Sequence, residues 1–257
     1  MNEERYRHKK QLGQHFLHDT NYLARIVAAI RPEPDDLMVE IGPGQGALTK
    51  PLLEKLKHLH VVEIDRDLIA WLGQTFPPER LTVHPADALK FDFGSLGAPL
   101  RVVGNLPYNI SSPLLFHLAD YAGQVTDMHF MLQKEVVDRM AAAPATPDYG
   151  RLSVMLQARF RVMKLFNVPP GAFNPPPKVD SAVVRMVPLS ADAIPYHDPQ
   201  RFAEIVGRAF GQRRKTLRNT LKGLVELEVF EALGIDPQRR GETLSVEEFS
   251  RLANHPG

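Results

Sequence analysis

The chain contains no cysteine, which excludes a disulfide framework and any thiolate metal centre. No apolar run approaches the roughly 18 residues that would span a bilayer. The stretch from Met1 to Lys10 is charged and has no apolar signal core, so a cytoplasmic location is expected. Net charge is also nearly absent, at +1 over 257 residues. That balance conceals an asymmetry: six basic residues and no acidic one lie between Arg208 and Lys222. Arg5, Arg7, Lys9 and Lys10 form a smaller basic group. Clusters of this kind suit phosphate contacts, because each contact releases condensed counterions; a solvated helix face is the alternative, and for 208–222 nucleic acid is the favoured partner. The length and a 44% hydrophobic content allow one large core, alone or with a small appendage.

Apolar runs alternate with helical patterns in the βαβ manner. Strands are expected at Met38–Ile41, His60–Ile64, Leu81–His84, Leu100–Gly104 and Met128–Leu132. Helices are expected near Ala47–Lys57, Leu68–Phe76 and Pro113–Tyr121, and through Met140. Leu152–Phe160 is ambiguous between helix and strand. Val162–Val168 and Ala182–Val187 are β-branched enough to end the sheet. Between them, Pro169 to Pro177 can be neither helix nor interior strand, and it carries the aromatic Phe173 among residues that cannot bury it locally. Pro188–Pro199 reads as a linker, and short helices follow from Arg201. The expected fold is therefore α/β, a Rossmann-like sheet with helices on both faces and a small helical domain after it. The division falls at 1–190 and 191–257.

Gly42-Pro43-Gly44-Gln45-Gly46 follows a strand and opens a helix, where a glycine loop lets backbone approach a ligand. Glu63 lies 21 positions after Gly42, placed to take both hydroxyls of a ribose. The spacing is G-x-G-x-G rather than the dinucleotide G-x-G-x-x-G, which disfavours a nicotinamide enzyme. Asp87, after the third strand, suits an adenine amino group. This set matches S-adenosylmethionine, and Glu40 can orient the loop or meet the cofactor's ammonium.

After the fourth strand comes Asn105-Leu106-Pro107-Tyr108. A carboxamide oxygen and a neighbouring carbonyl can accept both hydrogens of an exocyclic amine while a tyrosine face stacks on its ring. The competing interpretation makes Asn105 a helix cap and Tyr108 a core residue.

Taken with Gly13-Gln14-His15-Phe16-Leu17, Pro175-Pro176-Pro177-Lys178-Val179-Asp180-Ser181 and Phe210–Asn219, these motifs closely resemble the ribosomal RNA adenine-N6 dimethyltransferases. Within that family the chain is similar to the small-subunit enzymes. The resemblance implies transfer of methyl groups from S-adenosylmethionine to two adjacent adenosines in the 3′-terminal hairpin of 16S rRNA, late in small-subunit assembly. It implies cofactor binding by His15, Leu17, Gly42, Glu63, Asp87 and Asn105, with His15 standing where the family usually has Asn. Asn105 and Leu106 would hold the amine, and Tyr108 and Phe173 would sandwich the flipped base; for Phe173 an apolar anchor for the proline loop is the alternative. Arg213, Arg214, Lys215, Arg218 and Lys222, spaced to share faces of one helix, would track RNA phosphates. A monomer acting on the small-subunit precursor is expected, without membrane or metal. His15, His18 and Asp19 lack the further ligands a metal would need. A non-enzymatic assembly factor and an adenine methyltransferase for another RNA or DNA remain as alternatives.

Overall fold

The computed structural model describes residues 15–256; the basic group at Arg5–Lys10 and the Gly13-Gln14 pair lie outside them. The chain forms two compact units. One comprises the residues up to Val137 with Lys164–Met186, the other Asp138–Met163 with Val187 onward.

The first unit opens with β1 (Phe16–Leu17) and α1 (Thr20–Ile30). Asp19 caps α1, its carboxylate accepting from the Asn21 and Tyr22 N–H groups. There follow β2 (Leu37–Ile41), α2 (Thr49–Leu53), β3 (Leu59–Glu63), α3 (Arg66–Thr75) and β4 (Leu81–Pro85). Then come β5 (Leu100–Asn105), α4 (Ser111–Ala119), β6 (Val125–Gln133) and α5 (Lys134–Ala141). After α6 (Arg151–Gln157), the chain continues through β7 (Phe160–Val168), β8 (Phe173–Asn174) and β9 (Ser181–Pro188). Seven strands form one sheet in the order β4-β3-β2-β5-β6-β9-β7. The pairs from β4 to β6 are parallel and β9 joins β6 antiparallel. Consecutive Met38 and Val39, and Val102 and Val103, are all fully buried, as expected for parallel strands covered on both faces. Strand order reverses between β2 and β5, so right-handed crossovers put α2 and α3 on one face and α4 on the other. The crevice at such a reversal receives ligands.

The ambiguous Leu152–Phe160 segment divides into α6 and the start of β7. The proline loop contains one element that its composition hides: β8 pairs antiparallel with β1, Leu17 opposite Phe173.

In the second unit, α7 (Pro199–Gly211), α8 (Leu217–Thr220), α9 (Leu227–Ala232) and α10 (Val246–Asn254) join α6 around Phe202, Ile205, Phe230 and Phe249. Asp198 caps α7, and Ser245 with Glu248 forms a capping box on α10. Tyr149, Val154 and Ala158 are buried in this same core, and the Tyr149 hydroxyl donates to the Leu244 carbonyl at 2.8 Å. The expected division at 190/191 therefore misses a segment: Asp138–Met163 packs with the helical unit, because its apolar side chains face that core. No helix among the described residues is long and apolar enough to cross a membrane.

Candidate active site

Ile41 pairs with Gly104, so the glycine loop and Asn105 leave neighbouring strands at the same end of the sheet. Gly42, Gly44 and Gly46 have φ of +65°, +56° and +73°, a left-handed region in which an L side chain is strained. Gly44 is crowded as well, since a Cβ there would lie 2.6 Å from the Phe16 ring. The Gly42 N–H continues the β2–β3 ladder by donating to the Val62 carbonyl at 2.9 Å.

These elements enclose a cavity of about 240 Å³ whose walls include Gly44, Glu63, Asp87, Asn105, Leu106 and Tyr108. Gly42 and His15 also reach it. Two carboxylates face the space and no Lys or Arg does, among the described residues that line it. A pyrophosphate would be repelled there, whereas hydroxyl and amino groups would be bound. The closely approaching glycine backbone and the two hydrogen-bond-accepting carboxylates fit S-adenosylmethionine.

The Glu63 carboxylate is buried, and burial pushes its pKa up against the opposing effect of N–H groups from Asp65, Ile64 and Gly44. The Ile64 and Asp65 bonds both reach Oε1 at 2.9 Å, which fixes the group at the strand end. Asp87 Oδ1 accepts from the Leu89 N–H at 2.9 Å. Ile64, 54% exposed on the cavity wall, offers an apolar platform for a flat ring. It follows the strand-end acid directly in the sequence, an apolar residue at a position where the strand end leaves it exposed.

Asn105 Nδ2 donates to the His15 carbonyl at 2.9 Å. That bond decides the orientation of the amide, leaving Oδ1 as the acceptor. The Leu106 N–H is spent on the Met131 carbonyl at 3.1 Å, while the Leu106 carbonyl has no donor among the described residues. Both residues line the cavity, and each brings an acceptor that no described donor occupies. The capping interpretation of Asn105 fails: the N-cap position of α4 is Ile110, and Ser111 Oγ donates to the Pro107 carbonyl at 3.0 Å.

His15 Nδ1 lies 2.9 Å from the Pro175 carbonyl, which can only accept, so the proton is on Nδ1 and a neutral ring keeps Nε2 bare. The same ring stacks on Tyr108 with centroids 5.6 Å apart at 28°, covering one face of the tyrosine. The Tyr108 hydroxyl meets Ser181 Oγ at 2.6 Å, a contact 73 residues away in the chain that no local pattern announces.

Phe173 departs from the sandwich expected of it. It is 2% exposed, belongs to the core with Leu17, Ile26 and Val168, and does not line the cavity. The core of the first unit takes it in, and it anchors the proline loop. Leu17 likewise sits off the main cavity, beside a smaller hollow shared with Glu40, Gly42 and Asn105.

Glu40 lies behind the glycine loop, accepting at Oε2 from the Thr49 hydroxyl at 2.6 Å. Burial, opposed by that bond and aided by the Glu63 charge, pushes its pKa up to about 8. The folded protein therefore keeps a proton that the unfolded chain releases above its ordinary carboxylate pKa, and stability declines as pH rises from about 5 to about 8. Glu40→Gln keeps an acceptor for Thr49 and removes the charge. Urea midpoints of the variant should vary less with pH across that window than those of the parent.

The basic residues do not share a helix. Helix α7 ends at Gly211, Arg213, Arg214 and Lys215 lie in the turn that follows, Arg218 is on the four-residue α8, and Lys222 lies beyond it. Gly211 and the extended Thr216 interrupt the pattern. All five remain exposed; Arg213 also approaches Glu242 at 3.5 Å.

The family model for ribosomal RNA adenine dimethylase matches residues 5–255. The chain is 62% identical over 250 residues to the ribosomal RNA small subunit methyltransferase A of Aromatoleum aromaticum, covering 97% of this chain and 94% of that one. It is 61% identical over 248 residues to the protein of the same name from Chromobacterium violaceum, with 96% and 95% covered. Among solved structures it is similar to a dimethyladenosine transferase from Plasmodium falciparum, at 28% identity and a TM-score of 0.80 over 93% of this chain and 96% of that one. The 23S rRNA methyltransferase ErmE matches at 25% identity and a TM-score of 0.69, over 93% and 98%. The sheet is accordingly the Rossmann-like class I methyltransferase fold. Matched from residue 5 to residue 255, the chain belongs to the ribosomal RNA adenine dimethylase family.

Proposed function

We propose that the protein transfers methyl groups to the N6 amino groups of two adjacent adenosines in the 3′-terminal hairpin of 16S rRNA, giving N6,N6-dimethyladenosine on the small-subunit precursor. The observation that carries this reading is the pair of acceptors, Asn105 Oδ1 and the Leu106 carbonyl, beside a cavity suited to S-adenosylmethionine. That cofactor, when bound, supplies an electrophilic methyl group on a sulfonium. Glu63 is suited to its ribose hydroxyls and Asp87 to its adenine amino group. His15, Leu17, Gly42 and Asn105 complete the set carried by family resemblance.

Asn105 and Leu106 each take one N–H of the target amine, which draws the nitrogen lone pair out of conjugation with the ring. Their oxygens face the nitrogen as it becomes positive and lower the barrier without reorganising. Holding reactants in this pose can contribute several kcal/mol, with about 7–11 as the ceiling. No side chain is required as a base, because the nitrogen-bound proton is acidic once the N–C bond has formed. Tyr108 stacks on the base by the face that His15 leaves open, so the support is one-sided. The exposed Arg213, Arg214, Lys215, Arg218 and Lys222 follow RNA phosphates.

The test is to incubate the protein with methyl-labelled S-adenosylmethionine and, in parallel, unmethylated small-subunit RNA or particles, large-subunit RNA and free DNA, then digest to nucleosides. Label should appear as dimethyladenosine at two neighbouring positions. Label confined to large-subunit RNA or to free DNA would overturn the assignment. Replacing Arg213, Arg214 and Lys215 together by Ala should weaken RNA binding and flatten its log–log salt dependence by about 2–3 units, with cofactor affinity unchanged in the same preparation.

A further inference from the structure

We propose that Ser181 is a positioning residue for the second of the two methyl transfers, acting through Tyr108. The proposal rests on the assignment of Tyr108 as the support for the target base. Ser181 is the first residue of β9, fully buried, and paired in register with Gln133 of β6. Its hydroxyl is therefore held by the sheet rather than by a mobile loop. The 2.6 Å contact with the phenol oxygen fixes the tip of Tyr108. The His15 ring, itself tied to Pro175, backs one face of it. Without the Ser181 hydroxyl the ring keeps its backing and loses its tether, and it is free to tilt.

The two transfers differ in what else holds the amine. In the first, two N–H groups meet two acceptors. The nitrogen then forms its N–C bond as the methyl carbon–sulfur bond breaks with its electron pair on sulfur, and a proton leaves to water. In the second, the same bonds form and break, but only one N–H remains to meet Asn105 and Leu106. Orientation then depends more on the aromatic wall. A loosened Tyr108 should slow the second transfer more than the first.

The experiment follows both steps in the full-length protein with small-subunit particles, resolving mono- and dimethyladenosine by mass spectrometry. Ser181→Ala should slow the second step by about tenfold, the order set by one lost buried hydrogen bond, and the first by no more than about threefold. Monomethyladenosine should accumulate while S-adenosylmethionine affinity stays within about twofold of the parent. Tyr108→Phe removes the same bond from the other side and should raise the monomethyl fraction likewise. The double variant, which leaves no buried hydroxyl unpaired, should be no worse than either single one. A parental product ratio in Ser181→Ala, or an equal slowing of both steps, overturns the proposal and leaves the substrate assignment standing. Absence of methyl transfer by the parent protein would instead strike the assignment itself.

Discussion

Asn105→Ala should lower the rate of methyl transfer at saturating cofactor by about 10²–10³-fold, the usual consequence of deleting one preorganised dipole aimed at developing charge. Two losses combine. The Oδ1 acceptor disappears, so one N–H of the target amine has no partner and its nitrogen is free to stay conjugated with the ring. The His15 carbonyl also loses its donor, which loosens the segment that backs Tyr108. Asn105→Asp should not rescue the rate, since a carboxylate oxygen would then oppose the His15 carbonyl. Single-turnover methylation of small-subunit RNA is the measurement. A rate within about threefold of the parent would remove the acceptor pair from the mechanism.

Gly104→Ala is expected to have the largest effect on stability. A Cβ at this position would stand 2.6 Å from the Ile41 carbonyl oxygen and 3.2 Å from Leu106 Cδ2. The carbonyl belongs to β2, which is hydrogen-bonded to β3 on one side and β5 on the other, so it has no direction in which to yield. Forcing the strands apart should cost about 3 kcal/mol and lower Tm by about 6–12 °C in a protein of this size. Activity should fall with it, because Asn105 is the next residue. Gly123→Ala is the control: a Cβ there meets nothing within 4 Å, and its Tm should stay at the parent value.

The sheet and its switch point were legible because their signals are local. β-branched runs ending at glycine mark the strands, and the glycine loop with its following acids needs only residue spacing. The remainder depends on partners distant in the chain. A two-residue strand such as β1 has no periodicity to detect, and Phe173 pairs with Leu17, which lies 156 positions away by numbering, inside a core assembled from distant segments. The role of His15 depends equally on Pro175, 160 positions away. The basic string looked helical by charge spacing, whereas Gly211 and Thr216 had already broken it. Tyr149 and Val154 gave no hint of which core would take them, since apolar periodicity says that a residue is buried and not where.

The discontinuous helical unit has a consequence for engineering and for descent. Its core combines Tyr149, Val154 and Ala158 with tail residues from Tyr196 to Ala253. The tail beyond 190 is not a cassette that could be exchanged with a relative by a single crossover. A graft that retargets RNA recognition would have to bring both stretches from the same donor, or it would leave Phe202 and Phe249 facing mismatched neighbours.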